Sequence, residues 1–143
     1  RSATTARNVM KEAGGCAPEH PRAMVVGHCY FPAGLVSAVG QICGLADKLV
    51  VLSMMGKSPE GIGSAIREQL VKTGARVIFT DLPGGSATIA ARRIVNEDSG
   101  LVLVSGVNLA TLFDFVFNTS VSPIEAARAA AERGKASLIV VGH

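Results

Sequence analysis

From Ala23 onward the apolar residues follow two alternating rhythms. Short runs rich in Val, Ile and Leu occupy residues 23–27, 48–53, 76–80, 101–105 and 136–141. Brief, continuous apolar runs of this kind are the pattern of parallel strands buried on both faces. Between the runs, apolar residues recur at helical spacing. Leu35, Val36, Val39, Ile42 and Cys43 form a stripe after Pro32, a favoured first-turn residue. Ser58-Pro59 reads as a cap followed by a first-turn proline, and Ile62, Ile66 and Leu70 continue that helix. Further helices are predicted from about Ser86 to Glu97 and over 110–117. A last one opens at the capping-box sequence Ser122-Pro123-Ile124-Glu125 and has an alanine-rich body ending at Gly134.

Repeated strand–helix units predict an α/β fold, a doubly wound, mostly parallel sheet with helices on both faces. The final run, 136–141, is apolar on both faces, and an edge strand of that kind left bare would invite aggregation. It is expected to be exchanged with the sheet of a second copy, making a two-fold homodimer. Residues 1–22 lack either rhythm and are rich in Ala, Arg, Thr, Gly and Pro. They are set apart as an N-terminal extension or a leader left by cloning, with the domain at 23–143. No signal-peptide pattern occurs in them.

Composition narrows the partners. A chain of 143 residues fits one domain with one sizeable core. Although 48% of residues are hydrophobic, no apolar run approaches the roughly 18 residues needed to span a bilayer, so no membrane insertion is expected. Net charge is +3, two units of it within residues 1–22. Without a basic run or basic–aromatic interleaving, a nucleic-acid partner is not expected. Cys16, Cys29 and Cys43 are odd in number and widely spaced, which reads as reduced thiols in a cytoplasmic protein. The sequon Asn118-Thr119-Ser120 is discounted for want of a secretory signal. No Cys/His cluster has metal-site spacing, so neither metal nor cofactor is expected. Gly56-Lys57-Ser58 resembles the end of a phosphate loop, but Val51 stands where its first glycine is required.

In open parallel sheets, ligands sit beyond the carboxyl ends of the strands, at the switch point in strand order. Here those ends carry Gly27-His28, Asp81 and Ser105-Gly106-Val107-Asn108. In the flavodoxin-like order the first and third strands are neighbours across the switch point, so His28 and Asp81 would face each other. The sequence Val25-Val26-Gly27-His28 recurs as Val140-Val141-Gly142-His143, but His143 ends the last strand with no loop after it, and His20 reads as solvated leader. An unperturbed imidazole titrates near ~6.5 and is largely neutral at cytoplasmic pH. A carboxylate accepting its Nδ1 hydrogen leaves the Nε2 lone pair outward as a nucleophile. Asp81 suits that role, or else merely turns the chain before Pro83-Gly84. In the loop Asp81-Leu82-Pro83-Gly84-Gly85-Ser86, two glycines permit close backbone approach and the following helix N-terminus favours an anion. Ser86 either caps that helix or donates its hydroxyl to a phosphoryl oxygen. A Cys29–His28 nucleophile is disfavoured, because sequence neighbours often point apart.

Over about residues 23–143 these segments together resemble the EIIA component of the bacterial phosphoenolpyruvate-dependent sugar phosphotransferase system (PTS), mannose/fructose/sorbose family. The strand ending in His28, the spacing of Leu35 and Gly44, the loop Asp81–Ser86 and the segment Ser105-Gly106-Val107-Asn108-Leu109 carry the resemblance. It implies a phosphotransferase in which His28 accepts a phosphoryl group from phospho-HPr and passes it to an EIIB component during sugar uptake. It implies that Asp81 orients His28 and that Ser86 contacts the phosphoryl group. Gly84, Gly85 and Cys29 would line the phosphoryl-binding loop, with Gly106 and Asn108 in a supporting loop. It also implies a homodimer in which the last strand joins the partner's sheet. The family usually has Ser or Thr before the histidine and Gly after it, where this chain has Gly27 and Cys29. It also frequently continues Gly-Gly-Ser with Pro and then Phe or Asn, where this chain has Ala87-Thr88. Two alternatives keep the fold and the histidine: a regulatory EIIA-like module, and a phosphoryl-relay subunit of a dihydroxyacetone kinase, which fits the Gly-Gly-Ser loop less well.

Overall fold

The structure is a computed structural model that describes residues 21–143. Cys16 and His20, with most of the segment set apart as a leader, lie outside the described residues.

Among the described residues, four strands form one sheet: β1 (Ala23–Gly27), β2 (Leu49–Ser53), β3 (Val77–Thr80) and β4 (Val102–Ser105). All pairings are parallel and the order is β2-β1-β3-β4. The chain steps from β1 outward to β2, then crosses back over β1 to β3. The switch point therefore lies between β1 and β3, as expected for the flavodoxin-like order. Five helices connect and cover the sheet: α1 (Phe31–Cys43), α2 (Pro59–Thr73), α3 (Ser86–Glu97), α4 (Leu109–Phe117) and α5 (Pro123–Ala136).

Strand alternation divides the core in two. Ala23, Val25, Val77 and Phe79 point to one face, where Val36 and Val39 of α1, Leu112, Phe115 and Val116 of α4, and Ala126, Ala127 and Ala130 of α5 pack on them. Met24, Val26 and Ile78 point to the other, against Ile62 and Ile66 of α2 and Ala87, Ala91 and Ile94 of α3. This is why β1 and β3 read as unbroken apolar runs: both faces are covered. Phe79 meets Phe115 edge-to-face, with ring centroids 5.2 Å apart. Caps set the helix starts. The Ser58, Asn108 and Ser122 side chains accept from the N–H groups of Gly61, Thr111 and Glu125.

Arg22, assigned from the sequence to the leader, is integral to the fold. Its N–H donates to the Lys48 carbonyl, and its own carbonyl accepts from Arg76 N–H. Its guanidinium donates to the carbonyls of Asn118 (3.0 Å) and Val121 (2.9 Å) and lies over the Phe115 ring. These bonds tie the α4–α5 connection to the start of the sheet.

Two expectations are corrected at the far end of the chain. Gly134 does not stop the last helix, which continues to Ala136. Its role is close approach: a Cβ at Gly134 would run into the Thr111 hydroxyl and come within 3.1 Å of Asn108 Oδ1. The glycine lets α5 lie against the start of α4. Nor do residues 136–141 form a strand within the chain. Ser137 still completes the helix, its N–H donating to the Arg133 carbonyl, and Leu138, Ile139, Val140 and Val141 beyond it are exposed. A strand requires a ladder partner, and this segment has none among the described residues.

Gly134 yields a test in which two effects oppose. In an exposed helix, Gly→Ala is favourable by about 1 kcal/mol. At this site overpacking should dominate, and Gly134→Ala is expected to destabilise the fold by about 1–3 kcal/mol. Urea unfolding measures the sign directly; a more stable variant would show that the two helices do not need the glycine.

Candidate functional site

The site is assembled at the carboxyl ends of β1 and β3. β1 ends at Gly27, whose carbonyl accepts from Met54 N–H (3.0 Å) just beyond β2. The chain then turns sharply. The His28 carbonyl accepts from Phe31 N–H (3.0 Å), and Cys29 adopts φ +48° in the left-handed region. The Ser53 hydroxyl holds this conformation by donating to the Cys29 carbonyl (2.8 Å). A side chain at such a φ is strained, and a glycine there would not be. Because α1 begins at once, His28 stands at the edge of the sheet with 52% of its side chain exposed.

Asp81 follows β3 directly, and its side chain is only 9% exposed. Its Oδ2 accepts two hydrogen bonds from one residue, from His28 N–H (2.8 Å) and from His28 Nδ1 (2.8 Å). Its Oδ1 accepts from Leu82 N–H (2.8 Å). Burial alone would raise the Asp81 pKa. The His28 backbone N–H, the His28 ring and its charge, and the Leu82 N–H outweigh that and hold the carboxyl below its ordinary value. An ionised carboxylate only accepts, so the His28 ring carries its hydrogen on Nδ1 when neutral. Nε2 then keeps a free lone pair.

Gly27 gives the Asp81 carboxylate room. A Cβ there would lie 2.8 Å from Asp81 Oδ2 and 3.0 Å from its Cγ. The residue before the histidine therefore leaves space for the carboxylate beneath it.

The loop after Asp81 brings a helix N-terminus to the same place. Gly85 N–H donates to the Leu82 carbonyl (3.2 Å), folding Pro83 and Gly84 into a turn. α3 starts at Ser86 with Gly85 as its cap residue, and no side chain caps it. Of the two roles open to Ser86, capping is thus removed; it is the first helical residue, with an exposed side chain. The first N–H groups of α3 lack intrahelical partners and favour an anion. A Cβ at Gly85 would be 3.6 Å from His28 Cε1, so this turn lies against the imidazole edge.

His28, Asp81 and Gly85 are brought together, with Cys29, Gly84 and Ser86 on the adjoining turns. The segment after β4 is divided. Gly106 and Val107 N–H both donate to the Thr80 carbonyl (2.9 and 3.0 Å), which ties them to the residue before Asp81. Asn108 faces elsewhere. Its Oδ1 caps α4 and its Nδ2 donates to the Gly134 carbonyl (3.0 Å), so its side chain joins α4 to α5. Among the exposed large apolar residues, Tyr30, Phe31, Met55, Leu82 and Ile89 occupy loops and first turns at this edge of the sheet.

Sequence reasoning missed Gly27, Ser53 and Thr88. Thr88 is fully buried, and its hydroxyl donates to the Leu82 carbonyl (2.5 Å). It is the third residue after the cap residue of α3, where a capping-box side chain reaches back to the preceding loop. That spacing was its one available signal. Nothing short of the through-space arrangement marks Ser53.

The family model described as "PTS system fructose IIA component" matches residues 22–132. No curated protein matches the chain in sequence. Among solved structures, the mannose/sorbose specific IIA subunit of the phosphotransferase system from Enterococcus faecalis is similar with a TM-score of 0.74 at 19% identity, covering 87% of this chain and 96% of that one. The PTS IIA protein associated with the fucose utilization operon of Streptococcus pneumoniae gives a TM-score of 0.69 at 19% identity, with 87% and 95% covered. Phosphotransferase system component EIIA from Streptococcus agalactiae gives 0.68 at 21% identity, with 79% and 93% covered. At these identities the structural likeness speaks for the fold, and the family assignment rests on the sequence model.

The lowered Asp81 pKa has a direct consequence for stability. The folded state releases this proton more readily than the unfolded state, so the carboxylate's contribution is present at neutral pH. It is lost as pH falls past about 4 and through the still lower folded value. Urea midpoints of wild type should therefore drop more steeply in acid than those of Asp81→Asn. Parallel acid profiles would mean that Asp81 is not held low.

Proposed function

The chain belongs to the family of PTS fructose IIA components, and from that premise we propose that it is a cytoplasmic phosphocarrier acting through a phosphohistidine at His28. The carrying observation is the His28–Asp81 pair at the switch point, with the Gly84-Gly85-Ser86 turn against the ring. The donor is phospho-HPr and the acceptor is an EIIB component. The Nε2 lone pair of His28 attacks phosphorus. An N–P bond forms, and the bond from phosphorus to HPr breaks with its electron pair leaving on HPr. Asp81 holds the Nδ1 proton throughout and stabilises the positive charge that grows on the ring. Free N–H groups at the start of α3, with the Ser86 hydroxyl, receive the phosphoryl oxygens. Transfer to EIIB is the same displacement with His28 as leaving group. The apolar rim of Tyr30, Phe31, Met55, Leu82 and Ile89 supports docking of protein partners over His28. No helix among the described residues is long and apolar enough to cross a membrane.

The homodimer forms part of this reading. Leu138 and Val140 are 83% and 95% exposed, and β4 is an edge strand of the sheet. Reciprocal pairing of 138–141 with a second copy's sheet would cover the apolar tail and place His143 near the partner, away from its own His28.

Incubation with phosphoenolpyruvate, Enzyme I and HPr should add the mass of one acid-labile phosphoryl group, absent in His28→Ala. Labelling that survives in His28→Ala would overturn the assignment. Asp81→Asn should keep the fold but slow phosphorylation by about ten- to ten-thousand-fold, the range for losing an orienting acid–base group. An unchanged rate would reduce Asp81 to a turn former.

Assembly is tested separately. Removing residues 138–143 should give monomers or insoluble protein. A truncated chain that still sediments as a soluble dimer would rule out strand exchange.

A further inference from the structure

The buried hydroxyl of Thr88 has no part in the chemistry above, yet it sits at a junction. The Leu82 peptide links the two halves of the site. Its N–H donates to Asp81 Oδ1, and its carbonyl accepts from Gly85 N–H and from the Thr88 hydroxyl. Thr88 Oγ1 also lies 2.7 Å from Thr80 Oγ1 and 3.3 Å from Ser105 Oγ. Proton accounting orders these contacts. A hydroxyl has one hydrogen, and Thr88 commits it to the Leu82 carbonyl, so Thr80 and Ser105 donate and Thr88 accepts from both. Thr80 ends β3 and Ser105 ends β4. The Leu82 carbonyl is thereby anchored, through one side chain, to two strand ends and to α3.

That anchor is needed because the loop is weakly held otherwise. Apart from the Asp81–Leu82 bond, the turn over Pro83 and Gly84 is closed by a single 3.2 Å hydrogen bond. Gly84 is exposed, and paired glycines leave a backbone conformationally free. We propose that Thr88 is a positioning residue: its hydroxyl, by gripping the Leu82 carbonyl, sets where the Gly84-Gly85-Ser86 turn stands relative to His28. Fully buried, it does not reach the phosphoryl group and acts only through this loop. The proposal rests on the phosphocarrier reading for its effect on rate, and on the loop geometry alone for its effect on order.

Two variants separate hydroxyl from shape. Thr88→Val keeps the shape and removes the hydroxyl; Thr88→Ser keeps the hydroxyl and removes a methyl. Each is compared with wild type for single-turnover phosphorylation by phospho-HPr and for amide hydrogen exchange at Gly85. Thr88→Val should lose about 10–100-fold in the saturated rate, as expected for a small misplacement of a receiving group. The phospho-HPr concentration giving half that rate should change little, and the Gly85 amide should exchange faster. Thr88→Ser should remain near wild type in every respect. Wild-type rate and exchange in Thr88→Val would overturn the proposal. So would a loss in Thr88→Ser equal to that in Thr88→Val, which would make packing the cause. Should the valine variant fail to fold, Thr88→Ser decides alone: a near-wild-type rate and exchange support the hydroxyl's role, and a clear loss overturns it. If wild type itself is not phosphorylated on His28, the carrier reading fails, while Gly85 exchange still decides whether Thr88 holds the loop.

Discussion

The two hydrogen bonds that Asp81 Oδ2 accepts from His28, one from its backbone and one from its ring, are the constraint on which the site depends. Together they fix the position of the residue and the orientation of its imidazole with a single oxygen. The ionised state of Asp81 follows from the same contacts, and the location of the ring hydrogen follows from the ionised state. The second oxygen extends the arrangement to Leu82, and the Leu82 carbonyl extends it to the turn at the start of α3. His28, Asp81 and the turn at the start of α3 are thus joined by contiguous bonds.

Space had to be left for this arrangement. Gly27 lets the carboxylate occupy the volume that a side chain would fill, and Cys29 accepts a left-handed backbone to keep the βα turn short. The Ser53 hydroxyl on the Cys29 carbonyl holds the strained residue in place. Beyond β4, Gly134 permits α4 and α5 to meet, and Asn108 bonds across the contact. In each case a small or strained residue serves a close approach between segments distant in sequence.

The family's pattern and this chain differ in ways the structure makes intelligible. Two residues after Gly-Gly-Ser, where Phe or Asn was expected from the resemblance, this chain has Thr88, whose hydroxyl bonds to the loop and to two strand ends. The loop that carries the family resemblance is therefore braced here by polar contacts inside the core. Every such buried hydroxyl is satisfied, so the network adds order without an unpaired group.

The sequence by itself determined the alternation of strand and helix, because burial on two faces forces consecutive apolar positions and burial on one helical stripe forces a period of three to four. The alternation also marked His28 and Asp81 as strand-end residues, and the flavodoxin-like order, once assumed, made them neighbours across the switch point. Only the tertiary structure decided the helical place of Gly134, the use of Arg22 inside the fold and the bracing by Thr88. The last apolar run, legible as a strand, has no ladder among the described residues. Each of these depends on which distant segment comes within a few ångströms, and a linear pattern of hydrophobicity carries period and phase but no such distances.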